Sequence, residues 1–212
     1  MDVTNDVRRS AAFVTDTLRP SLDRDDWARI TQTTEWTCRN TLDHMVDALC
    51  GYAASLANLF TERPPHHPRN GDPSASPTEL LQLVSTFAGV LSEVTKAAAI
   101  TDRAFHRAGM ADRDGFVAMG CDEVLIHGYD IATTFRAVYE PPSDLAARVL
   151  TRLFPWAPED GNPWERLLWA NGRSPLEDHD QLGPEWWWHC APLEEWNGEV
   201  KRRSALDPPG WR

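Results

Sequence analysis

The sequence predicts an all-α fold: an antiparallel four-helix bundle with extra short helices and an irregular C-terminal wrap. Three observations carry the prediction. Long stretches place apolar residues at three- and four-residue intervals. Proline clusters and helix caps separate them, and no segment of useful length alternates as a strand does. No internal repeat is present.

The first helix is expected over residues 4–18, with Val7, Ala11, Phe13, Val14 and Leu18 as its apolar contacts and Pro20 beyond its end. A polar connection, Ser21–Arg39, carries Trp27 and Trp36. The second helix is expected to begin near Thr41, capped by Asn40 or Thr41, and to run to about Phe60. Leu42, Met45, Leu49, Ala53 and Leu56 recur along it at helical spacing. Arg63–Pro77, with Pro64, Pro65, Pro68, Gly71 and Pro73, reads as a loop. Ser76 then caps a third helix over 77–99, with Pro77 in its first position and Glu79 placed to complete a capping box.

Asp112–Asp114 can start a fourth helix that reaches about Val138, before Pro141 and Pro142. Shorter helices are expected near 143–154 and 164–170. Asn171–Arg212 is rich in glycine, proline and tryptophan and shows no period. Residues 1–140 thus read as the bundle and 141–212 as a Trp-rich extension packed on it, in one structural unit.

Composition narrows the function. Hydrophobic residues make up 42 % of the chain, enough for a buried core. No apolar run approaches the roughly 20 residues that span a bilayer. The first residues, Met1–Asp6, are acidic and lack the basic-then-apolar order of a signal peptide, so a cytoplasmic protein is expected. A net charge of −11 argues against nucleic-acid and anionic-membrane partners. Cys38, Cys50, Cys121 and Cys190 are scattered, which suits reduced thiols better than a disulfide framework or a sulfur-built zinc site. Lys96 and Lys201 are the only lysines, a bias associated with GC-rich genomes.

The informative segment is Cys121–Ile131. On a helical wheel, Phe116, Met119, Val124, Ile131 and Phe135 form an apolar stripe, and Glu123 and His127 fall inside it, four residues apart. An ionisable pair facing a core is costly unless something compensates it. A divalent metal would do so, since carboxylate oxygen and imidazole nitrogen both ligate first-row ions. A hydrogen-bonded Glu–His pair, or a helix turned to water, satisfies the same spacing.

A third ligand is needed, and His44 is the candidate. Periodicity alone leaves it a surface histidine, on a face shared with Ala48, Gly51 and Ser55, small residues that allow close approach by another helix or by a second copy of the chain in a homodimer. Asp130 lies on the His127 face and reads either as a group orienting a ligand or as a surface aspartate. His66 and His67 read as a solvated loop pair, and His106, beside Arg103 and Arg107, as a surface residue. Trp186-Trp187-Trp188-His189-Cys190 reads first as packing over the open end of the bundle. The alternative is an entrance lining with His189 as acid/base. Cys121 reads as structural, its neighbouring carboxylate raising its pKa.

Trp36-Thr37-Cys38-Arg39-Asn40-Thr41-Leu42-Asp43-His44 resembles the entry into the second helix of DinB/YfiT-like metalloproteins. Glu123 to Asp130 resembles the E-x-x-x-H-x-x-D segment of their mycothiol-dependent maleylpyruvate isomerase branch, and Leu167–Leu176 is similar to a tail of many actinobacterial members. The resemblance implies an up-down-down-up four-helix bundle with a metal, zinc or another divalent ion such as nickel, iron or manganese, on His44, Glu123 and His127.

Three protein ligands leave a zinc coordination position open, the pattern of catalytic sites. A thiol there would lose its proton and attack an electrophile; a water would become a hydroxide nucleophile. The resemblance favours the thiol, mycothiol above all, in a transferase or isomerase acting on a small electrophile. Metal-hydroxide hydrolysis, or a scaffold that binds metal or ligand without catalysis, is the alternative.

Overall fold

The computed structural model describes residues 3–64 and 71–203. His66 and His67 lie outside the described residues. Four long helices, α1 (Asp6–Leu18), α2 (Cys38–Asn58), α3 (Pro77–Ala97) and α4 (Arg113–Thr134), form the bundle. Helices α1 and α2 each pack against both α3 and α4, so α1 and α2 stand on a diagonal. Two shorter helices follow, α5 (Ser143–Leu153) and α6 (Pro163–Ala170). Helix α5 packs on α4 and on α6. Among the described residues, no helix is long and apolar enough to cross a membrane.

Local chemistry sets the ends of these helices. At α3 the expected capping box forms: the Glu79 backbone N–H donates to Ser76 Oγ, and the Ser76 N–H donates to the Glu79 carboxylate. Helix α2 begins three residues before Thr41, because Thr37 rather than Asn40 or Thr41 caps it; Thr37 Oγ1 accepts from the Asn40 N–H at 3.1 Å. Helix α4 stops at Thr134, short of Val138, where Arg136 turns left-handed (φ 58°). The chain between α3 and α4 is not plain loop. It forms a hairpin, β1 (Ala104–His106) with β2 (Gly109–Ala111), antiparallel and turned at a glycine of φ 141°. Three-residue strands carry too little alternation to be read from sequence.

Helix α4 is the axis of the molecule. Its side chains are buried on nearly every face, from Phe116 and Met119 to Asp122, Asp130 and Ile131. The sequence expectation of a one-sided apolar stripe therefore fails: α1, α2, α3 and α5 all pack against this helix. Gly128 permits the close approach of α1, since a Cβ there would sit 2.7 Å from Val14 Cγ2 and from Tyr139 Oη.

The extension is tied to the bundle by charge as well as by packing. Arg148 of α5 donates to both oxygens of the buried Asp6 carboxylate, at 2.6 and 3.0 Å. Arg152 pairs with Asp112, the α4 cap, and donates to the carbonyls of His189 and Cys190. That pins the irregular tail beside the start of α4. All four cysteines are free. Burial pushes the Cys121 thiol up to about 12, which fits its structural reading.

Candidate metal centre

Helices α2 and α4 bring His44, Glu123 and His127 together, all three buried. Glu123 Oε2 lies 3.0 Å from His44 Nε2 and 3.3 Å from His127 Nε2. The ligating atoms of the three fall within 4.8 Å of one another. The i,i+4 spacing on α4 puts Glu123 and His127 on one face, and α2 supplies His44 from across the bundle. Ala48, Gly51 and Ser55, on the His44 face, line a cavity of about 430 Å³ that also takes in the three donors.

Two of the donors are oriented by a hydrogen-bonding partner outside the triad. His127 Nδ1 donates to Asp130 Oδ2 at 2.9 Å, which leaves Nε2 directed at Glu123. Asp130 is fully buried; Arg173 Nη2 holds the same oxygen at 2.8 Å, and Thr33 donates to the other. Tyr52 donates to Glu123 Oε1 at 2.8 Å, so Oε2 is the oxygen shared by the imidazoles. Trp36 packs against both histidine rings, at 4.8 and 5.7 Å.

These contacts set the protonation states. Burial opposes charge on Glu123, but the two imidazoles outweigh it and hold the carboxyl well below its usual range. Burial likewise opposes charge on Asp130, and Arg173 and His127 outweigh it. Burial lowers His44. His127 goes the other way: Asp130 and Glu123 overcome burial and raise it to about 9. Without a metal the cluster therefore balances its charge with a proton on His127, between two carboxylates.

A divalent ion fits the place of that proton. The donor set is N, O, N, suited to zinc and its first-row neighbours. All three donors border the cavity, so a small molecule can reach them.

Asp130 is buried and bonded to His127, not exposed on the helix surface. His189 does not join the site: it lines a separate hollow with Cys190 and Trp196, and its Nε2 lies 3.0 Å from the Pro192 carbonyl. Trp186, Trp187 and Trp188 line the metal-side cavity rather than only packing. His106 is not a surface residue but part of the same wall, its ring 5.3 Å from Tyr52 and 5.5 Å from Trp188. Burial drops its pKa to about 4.

Sequence reasoning missed Tyr52, Asp122, Asn171 and Arg173. Asp122, next to Glu123, is buried and accepts from Asn171 Nδ2 and Trp188 Nε1, both at 2.9 Å; burial raises it to about 7. Asn171 and Arg173 lie inside the Leu167–Leu176 tail motif, whose position in the chain gave no hint that it folds back on α4.

A four-helix bundle with such a donor set beside a cavity is the arrangement that the resemblance to DinB/YfiT-like proteins implied. The family described as "Mycothiol maleylpyruvate isomerase N-terminal domain" matches residues 7–132, and the chain belongs to that family. Among solved structures, the chain is similar in fold to the mycothiol-dependent maleylpyruvate isomerase, in a crystal structure of a histidine-to-alanine mutant. The TM-score is 0.52 at 18 % identity, covering 84 % of this chain and 90 % of that one. No curated protein matches the chain.

Proposed function

We propose that this protein is a zinc-dependent transferase or isomerase that uses a low-molecular-weight thiol, mycothiol first among candidates, against a small electrophile. The observation that carries the reading is the buried His44–Glu123–His127 donor set facing a cavity large enough for a small molecule. Family membership supports the choice of thiol.

His44, Glu123 and His127 would hold the ion. When bound, it supplies Lewis acidity that lowers the pKa of a nearby thiol, so that thiolate is available at neutral pH. The rest of the work falls to the chain itself. Asp130 keeps the His127 proton on Nδ1 and the Nε2 lone pair turned inward. Arg173 and Thr33 keep Asp130 ionised and in place. Tyr52 occupies one oxygen of Glu123, leaving the other for the site. Trp36 covers the imidazoles and limits the approach of water from its side.

In a transfer, a sulfur–carbon bond forms while the leaving group departs with its electron pair, and the thiol proton leaves as the acid of that group. In an isomerisation, sulfur adds to a conjugated double bond and the electron pair shifts to the carbonyl oxygen. The former double bond rotates, sulfur is expelled, and the pair returns. The net charge supports an anionic nucleophile. With a divalent ion in place of the His127 proton, the cluster of Arg173, Asp130, Glu123 and the ion carries one positive charge, which one thiolate neutralises.

Purified protein is expected to carry about one zinc per chain and to convert its electrophile only when both metal and mycothiol are present, the thiol being consumed in a transfer and recovered in an isomerisation. His44→Ala and His127→Ala are expected to abolish metal binding and turnover together, read by elemental analysis and a mycothiol-dependent product assay. Full thiol turnover in chelator-stripped protein would sink the reading.

A further inference from the structure

The cavity wall is built of rings to an unusual degree, and they form a connected series. Tyr52 starts it, with its hydroxyl on Glu123. The His106 ring lies 5.3 Å from Tyr52, and Trp188 lies 5.5 Å from His106. Trp186 follows at 6.0 Å from Trp188. Phe105 lines the same space, and Trp36 covers the donor histidines. These rings come from four distant parts of the chain: the connection before α2, α2 itself, the hairpin, and the tail.

Besides Tyr52, two of them are held by directed bonds. Trp188 Nε1 donates to Asp122, and His106 Nδ1 accepts the Ala108 N–H at 3.1 Å. Held this way, His106 has its pKa lowered by burial, so at neutral pH it offers an uncharged π face rather than a cation. Rings whose job is only packing are enclosed on all sides. Here Trp36, Phe105, His106 and Trp186 are only partly buried and border open volume. Fixed aromatic walls about a cavity favour a flat ring as guest, because offset and edge-on ring contacts add to simple apolar burial.

We propose that the electrophile bears a flat aromatic ring, stacked among Tyr52, His106, Trp186 and Trp188 while its reactive carbon faces the His44–Glu123–His127 end. This rests on the thiol-transfer reading for the word electrophile, but the ring selectivity is testable without it.

Isothermal titration calorimetry of the whole protein would compare naphthalene methanol with its fully saturated decalin analogue, with no thiol present. The saturated compound is the more apolar, so a preference for the aromatic one measures ring contacts rather than burial. The naphthalene compound is expected to bind about tenfold more tightly. His106→Leu and Trp186→Leu, both at partly exposed positions, are each expected to cut that ratio to about threefold or less. Trp188→Phe keeps a ring and is expected to preserve most of it. Equal binding of the two compounds overturns the inference, as does a preference unchanged in both leucine variants. Ring preference without any thiol turnover would retire the proposed reaction and leave the selectivity standing. Thiol turnover without ring preference would do the reverse.

Discussion

The two sides of the cavity are built in opposite ways. On the bundle side, His44, Tyr52, Glu123 and His127 ride on long helices whose register fixes where each side chain points. On the extension side, Asn171, Arg173 and the three tryptophans sit on irregular backbone, with Gly172 at φ 69° between the first two. Helical side chains need only the helix. Those of the extension need something to hold on to, and α4 provides it: Asp130 takes Arg173, while Asp122 takes Asn171 and Trp188. Two buried aspartates thus couple the ordered extension to the donor cluster. The bundle supplies the ionisable chemistry and the extension supplies shape.

The sharpest way to break this division is through Arg173. If the extension contributes only shape, removing its guanidinium should not alter the donors. The geometry says otherwise, because Arg173 holds the oxygen of Asp130 that accepts from His127. If the site holds a metal as proposed, Arg173→Met is expected to weaken the affinity for a divalent ion by about 10–100-fold, the usual cost of disturbing the groups that orient a metal ligand. Competition against a chromophoric chelator measures it. Unchanged affinity with unchanged fold would show that Thr33 alone suffices to place Asp130.

A second, smaller effect is expected at Asp122. Asp122→Ala strips the acceptor from Trp188 Nε1 and from one bond of Asn171, whose amide keeps the Leu167 carbonyl. One buried indole N–H left unpaired costs about 1–3 kcal/mol. The loss should fall on the extension: amide exchange is expected to quicken over residues 171–190 and to stay slow in α1 and α3. Equal quickening in both would mean that bundle and extension order as one unit, and the contrast drawn above would fail.

The same contrast explains what was legible beforehand. Periodicity and caps located α1, α3, α5 and α6 closely, since each buries one face and leaves one to solvent. Helix α4 was found from its start at Asp112–Asp114 and the prolines beyond its end, but misread in detail. Its Glu123–His127 pair is buried because every face of that helix is covered, not because the pair lies on a stripe. His44 was placed by resemblance alone: the small residues around it look exposed on a wheel and in fact face a cavity. Tyr52 and Arg173 left no signal, because each acts through a partner 40 or more positions away. A carboxylate directly beside a candidate ligand on a helix without a polar face was the one clue available, at Asp122.

A pH-dependent effect is expected at His106, which stands where the hairpin brings bundle and tail together, between Tyr52 and Trp188. Burial lowers its folded pKa to about 4, against about 6.5 for an unfolded histidine. The sign follows from the proton balance. Below about pH 6.5 the unfolded chain takes up the proton more readily than the folded one, so stability falls as pH drops towards 4. Above 6.5 both states are neutral and this residue contributes no pH dependence. His106→Phe keeps a ring in the wall and removes the titration. Its Tm is expected to decline less steeply than that of the parent between pH 6.5 and 4, while the two run parallel above pH 7. If the two profiles run parallel across the acid range as well, His106 is hydrated in both states. The hairpin then does not seal the tryptophans of the tail against the bundle.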